Sequence, residues 1–145
     1  MIYLHKNGVT IVADKKAKVG QTYELNGEKY LVVNRKMLEN LVKADEDVTK
    51  VVTTRVKMML CLFQHKTNFN QDISSWDVSN VTNMNSMFLN AISFNQDLSV
   101  WNVDNVTSCQ WFNVKYDYLD YSGNKSLLST WTLPKPSFSQ CNIGL

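Results

Sequence analysis

One stretch of this sequence repeats itself, and a repeat constrains a fold more tightly than composition does. Phe69-Asn70-Gln71-Asp72-Ile73-Ser74-Ser75-Trp76-Asp77-Val78-Ser79-Asn80-Val81-Thr82 returns 25 residues later as Phe94-Asn95-Gln96-Asp97-Leu98-Ser99-Val100-Trp101-Asn102-Val103-Asp104-Asn105-Val106-Thr107, with four substitutions in fourteen positions. A degenerate copy precedes them. Asp47, Val48, Val51 and Val56 stand at the positions of Asp72, Ile73, Trp76 and Val81, and Met59, Leu62 and Phe63 at those of Met84, Met87 and Phe88. After Thr107 the pattern decays, with Cys109 and Phe112 in place of Met84 and Met87. A unit this short cannot bury its own apolar side, so the units must stack and both ends of the array must be covered.

The spacing within a unit predicts a strand, a turn and a short helix. Ile73, Trp76 and Val78 fall where the strand of a leucine-rich-repeat unit carries its apolar residues, and Met84, Met87, Phe88 and Ala91 follow at i, i+3, i+4 and i+7, one face of a helix. The expected fold class is therefore an α/β repeat: a short leucine-rich-repeat-like solenoid of about two and a half strand–helix turns over residues 47–112. Stacking at strand spacing would set Trp76 on Trp101 and Asn70 beside Asn95. The flanks suit caps. Residues 1–46, a β-rich cap and candidate attachment region, hold strand-like runs at Ile2–Leu4, Val9–Ala13, Tyr23–Leu25 and Tyr30–Val33. Asn26-Gly27 is a hairpin signal, and Met37, Leu38, Leu41 and Val42 mark one helical face. Residues 113–145 read as an irregular aromatic C-terminal cap, with Pro134 and Pro136 barring a helix.

The string FNQDISSWDVSNVTNMNSMF resembles the repeat of the BspA-like leucine-rich-repeat surface proteins, over roughly residues 47–112. The segment from Asn7 to Val33 and the closing WTLPKP with Cys141 are similar to segments that accompany short members. The resemblance implies a solenoid-like fold and a role in adhesion or binding at bacterial or phage surfaces. It implies no catalytic residue, because the matched positions Ile73, Trp76, Val78, Met84, Met87 and Phe88 are structural.

The chemistry that can be sought in the sequence is sparse. Fifteen basic and thirteen acidic residues nearly balance, and no Lys or Arg occurs between Thr67 and Val114, so the repeats lack the cations that would neutralise phosphates. Nucleic acid is not an expected partner, and no apolar run is long enough for membrane insertion. His5 and His65 have no Cys, His or Asp at ligand spacing, and no nucleophile elbow or His-Glu-x-x-His pair occurs. No cofactor, metal or catalytic residue is expected, and the chain is read as non-enzymatic. Asp72, Asp77 and Asp97, with Asn102, recur with the repeat. They either satisfy backbone groups at turns or supply oxygen to calcium, and turns are the favoured reading. Among the three cysteines, Cys61 sits in an apolar run, while Cys109 and Cys141 are left either bridged or free.

The strand face of the repeats gives the candidate contact surface: Ser75, Asp77 and Ser79 beside Val100, Asn102 and Asp104. These are short, mostly polar side chains without hot-spot character, so strong binding would need many copies. Trp111, Tyr116, Tyr118 and Tyr121 are candidate assembly aromatics. The N-terminus lacks a secretory layout and no lipidation motif is present, so a complete chain would not be exported by the ordinary route. The expected function is a structural or binding component of a multicopy particle. The leading reading is a phage virion decoration, spike or fibre protein, located at the virion surface, and the alternative is a bacterial cell-surface adhesion or protein-interaction module. Its partners would be other virion or surface proteins, further copies of itself, or a host-surface glycan or protein.

Overall fold

A computed structural model describes residues 1–116, 126–127, 131–139 and 141. The N-terminal elements form where local chemistry dictates. Strands β1 (Ile2–Leu4) and β2 (Ile11–Ala13) pair antiparallel, as do β3 (Thr22–Leu25) and β4 (Glu28–Val32). The β3–β4 turn is Asn26-Gly27, with φ of 53° and 82°, the two positive values that a tight hairpin turn requires. Asn34 then starts helix α1 (Arg35–Lys43), its side-chain oxygen accepting the Met37 N–H at 2.9 Å. Leu38 and Val42, four residues apart, carry the buried face of the helix. Strand β5 (Val51–Val52) joins β4 in parallel to complete a three-stranded sheet. A last pair, β6 (Lys115–Tyr116) and β7 (Ser126–Leu127), lies near the C-terminus. Among the described residues no helix is long and apolar enough to cross a membrane.

The expected leucine-rich-repeat-like solenoid of strand–helix turns does not form. Between Thr53 and Val114 the structure has neither strand nor helix, only turns joined by two isolated parallel bridges, Met58 to Asn83 and Asn83 to Ser108. The α/β repeat class is thereby overturned, and the backbone explains why. Cys61, Ser86 and Trp111 all have φ of 55°, and His65 and Asn90 have 61° and 57°. A left-handed residue every four positions prevents a helix from propagating. The N–H groups turn outward instead of bonding within a helix. Met59, Cys61, Phe63 and His65 donate to the carbonyls of Asn83, Asn85, Met87 and Leu89. One copy on, Met84, Ser86, Phe88 and Asn90 donate to Ser108, Gln110, Phe112 and Val114. The apolar spacing of Met84, Met87, Phe88 and Ala91 therefore marks buried residues of a turn, not a helical face.

Equivalent side chains lie on one another across the copies. Trp76 and Trp101 stack with centroids 6.4 Å apart and planes at 8°, Phe69 and Phe94 at 5.6 Å, and Phe63 and Phe88 at 5.3 Å. Each indole N–H reaches back to an earlier carbonyl, Trp76 Nε1 to Val48 at 2.9 Å and Trp101 Nε1 to Ile73 at 3.1 Å. The amide of Asn95 donates to Asn70 Oδ1 at 2.8 Å. The main core runs from Val33, Leu38 and Val42 of the N-terminal block through the repeats to Trp131, so block and repeats share one apolar interior.

The two ends of the stack are covered differently. The alternate N–H groups of Met59–His65 and Met84–Asn90 run toward the next copy, while Thr82 and Thr107 donate back to Lys57 O and Thr82 O, so in this segment the first copy is left with outward carbonyls. The Arg35 guanidinium takes two of them, donating to Met58 O at 3.1 Å and Leu60 O at 2.9 Å, and Glu39 steadies it. These are the carbonyls equivalent to Asn83 and Asn85. Arg35 thus replaces a preceding turn. At the far end Trp131 packs edge-on against Phe88 and Phe94, its Nε1 donating to Gln96 O, and Cys109 and Cys141 form a disulfide with Cα atoms 5.9 Å apart.

Candidate functional site

The first hairpin is laid across the face that the sequence singles out for contact. Asn7 builds its loop: Oδ1 accepts the N–H groups of Val9 and Thr10, and Nδ2 donates to the Thr10 hydroxyl at 2.9 Å. Gly8, at φ 76°, supplies the reversal that a side chain would oppose. Strand β2 then docks on the repeats through Ile11 N–H to Ser75 O at 2.9 Å and Ala13 N–H to Thr54 Oγ1 at 3.0 Å. Arg55 ties the following loop by donating to the carbonyls of Ala13, Asp14 and Ala17.

This docking corrects one member of the expected contact face. Asp77 is buried, 4% exposed, and its carboxylate is fully engaged. Oδ2 accepts the Thr54 hydroxyl at 2.7 Å, and Oδ1 accepts the Ser79 hydroxyl at 2.6 Å and the Ser79 N–H at 3.1 Å. It joins its own turn to Thr54 of the preceding copy, the residue that accepts the Ala13 N–H, and its oxygens are spent on these contacts. Ser75 and Ser79 are half-buried, whereas Val100, Asn102 and Asp104 are exposed. Of the aromatic set, Trp111 is 48% exposed, Tyr116 lies in β6, and Tyr118 and Tyr121 lie outside the described residues.

Between hairpin and repeats a cleft of about 270 Å³ remains. Tyr3, His5 and Val12 line one wall, and Ser79, Val100 and Asn102 the other. Tyr3 pairs with Val12 across the hairpin, so the two share a face. Several polar groups here have no partner among the described residues. Asn102 uses Oδ1 to accept the Asp104 N–H, leaving its amide hydrogens unused. His5 accepts the Asn7 N–H at Nδ1, so a neutral ring keeps its proton on Nε2 as a donor. The Tyr3 hydroxyl is likewise unspent.

In a larger depression of about 490 Å³ beside the end of α1, several of the polar groups are committed to structure. Gln71 accepts from Val48 N–H and donates to Glu46 O, Lys66 pairs with Asp45, and Asn70 Oδ1 accepts from Asn95. The repeating aspartates are committed too. Asp47, Asp72 and Asp97 each accept the hydroxyl and the N–H of the residue two ahead, Thr49, Ser74 and Ser99. These are turn contacts.

Tyr3, His5 and Asn7 were not legible as site residues from the sequence. Asn7-Gly8 was the available signal, a tight reversal between two apolar runs, but nothing local says that Ile11 of the hairpin meets Ser75.

A family model matches most of the chain. The family model described as "Mycoplasma protein of unknown function, DUF285" covers residues 33–131. No curated protein and no solved structure matches the chain.

Proposed function

The chain belongs to the DUF285 family, and from that premise we propose that it is a non-enzymatic binding module displayed in many copies at a surface. One observation carries the reading: the hairpin and the repeats frame a small cleft whose unspent donors belong to Asn102, His5 and Tyr3. The likeness of the 25-residue repeat to BspA-like surface proteins supports the placement at a surface. The cleft is below the roughly 300–1,000 Å³ of typical small-molecule sites, so a single copy binds weakly and display in many copies supplies the avidity.

The surface belongs either to a virion, as a decoration, spike or fibre component, or to a bacterial cell. A family description that names Mycoplasma favours the cell. Trp111, exposed at the third copy, is the described aromatic best suited to anchor a neighbouring protein. Quantitative mass spectrometry of purified virions, and of peptides shaved from intact cells by protease, tests the proposal. Enrichment in either fraction over soluble cell contents is expected. Recovery only with soluble contents would overturn the surface reading.

A further inference from the structure

The cleft between the first hairpin and the repeats has the chemistry of a sugar site, and we propose that it takes one uncharged sugar ring, a hexose or N-acetylhexosamine at a glycan end. This rests on the surface-module reading and names its ligand.

Charge decides the first step. Among the described residues Asp77 is the one carboxylate lining the cleft, its oxygens taken by Thr54 and Ser79, and no Lys or Arg lines it. An anionic ligand would meet no cation and a cationic one no free anion, so an ion entering here would lose hydration without compensation. The ligand is neutral.

Hydrogen-bonding capacity decides the second. The unspent groups are donors or hydroxyls: the Asn102 amide hydrogens, the His5 Nε2–H and the Tyr3 hydroxyl, with Ser79 Oγ able to accept because its own proton goes to Asp77. Such a set matches a ligand rich in hydroxyl or acetamido oxygens. Tyr3 is 49% exposed and Val100 36% exposed, so a phenol ring and an aliphatic side chain are available to the C–H face of a pyranose. Size decides the third. About 270 Å³ holds one such ring and leaves no room for a run of peptide side chains.

The test is an amide-resolved NMR titration of the full chain. Galactose and N-acetylglucosamine are the neutral probes, and glucuronate and glucosamine their charged counterparts. Shifts at Tyr3, His5, Val100 and Asn102 with a neutral sugar are expected, with weaker effects from the charged pair. Asn102→Asp keeps the acceptor for the Asp104 N–H while removing the donor, and Tyr3→Ala removes the ring. Each is expected to weaken binding about tenfold, the equivalent of one contact at ~1.4 kcal/mol. Trp111→Ala, away from the cleft, should leave binding unchanged. Circular dichroism on each variant confirms the fold. The proposal fails if neither neutral sugar moves the cleft amides, if a charged sugar binds better, or if both cleft variants bind as the parent does. A chain found at a surface but blind to both sugars loses only this inference. A chain that binds them but stays with soluble contents loses only the surface reading.

Discussion

Trp76→Ala should bring this protein close to unfolding, and the structure says by how much. The indole is fully buried, stacked on Trp101 at 6.4 Å and on Phe63 at 5.8 Å. Truncating a buried aromatic to alanine costs ~3–5 kcal/mol, and a stack pinned on both sides cannot collapse into the void. The same change strands the Val48 carbonyl, which accepts Nε1–H at 2.9 Å, and an orphaned buried acceptor costs about 1–3 kcal/mol. Because the two losses share one site they do not add fully, so ~4–6 kcal/mol is the working figure. That is a large part of the ~5–15 kcal/mol by which domains are stable. Trp76→Phe separates the parts: it keeps a ring in the stack and loses the hydrogen bond, for about 1–3 kcal/mol. Ser75→Ala, on the neighbouring half-buried hydroxyl, should stay within about 0.5 kcal/mol. Urea titrations followed by far-ultraviolet circular dichroism measure all three. If Trp76→Ala and Ser75→Ala shift the midpoint equally, the indole is not buried in a stack and the reasoning collapses.

Other perturbations probe the ends and the turns. Arg35→Met should cost about 1–2 kcal/mol, since it uncaps two carbonyls that water then reaches; an unchanged melting temperature would show that Arg35 caps nothing. Cys141→Ser opens a loop of separation 32 and should cost ~3–4 kcal/mol by loop entropy, and reductant should destabilise the parent but not the variant. Asp97 is held below the usual aspartate pKa, first by the Ser99 hydroxyl and then by its N–H. A depressed folded pKa contributes stability that is present above the unfolded value near 3.8 and is lost as pH falls through the folded one. Asp97→Asn should therefore lose stability less steeply on acidification below that value; an acid slope equal to the parent's would remove Asp97 from the account.

What the sequence disclosed and what it hid divide along a physical line. Local chemistry was legible: Asn26-Gly27 makes its turn, Asn34 starts α1, and Leu38 and Val42 face inward. The 25-residue register was legible as well, because Trp76 does lie on Trp101 and Asn70 does meet Asn95. The conformation inside each copy was not. Apolar residues at i, i+3, i+4 and i+7 describe a helix when φ stays negative throughout, but Ser86 and Asn90 are left-handed, and neither residue type announces that in isolation. The stack rewards the switch, since it sends every second N–H of Met84–Asn90 to the next copy. Asp77 was misplaced for a related reason. Its strand-face position reads as outward, but the side chain is buried with the Thr54 hydroxyl of the preceding copy on its carboxylate, a contact that no local pattern carries.

The stack's polarity explains why so short an array can stand as a finished unit. Turns whose alternate N–H groups point to the next copy, as those of Met84–Asn90 do, leave the equivalent carbonyls of the first copy without a preceding turn. An open edge of that kind is an invitation to add another chain. The first edge is closed from within by Arg35, two of whose N–H groups reach carbonyls in the register of the missing turn. A cation suits that end, since outward carbonyls carry partial negative charge. The last edge is handled differently. Trp131 covers the phenylalanine column and the Cys109–Cys141 bridge ties the tail to the third copy. Growth by edge addition is hindered at the first copy, where Arg35 takes the carbonyls that a further turn would use. In the proposed multicopy display, contacts between copies would use side-chain surfaces such as that around Trp111, which would leave the cleft beneath the first hairpin free for the proposed ligand.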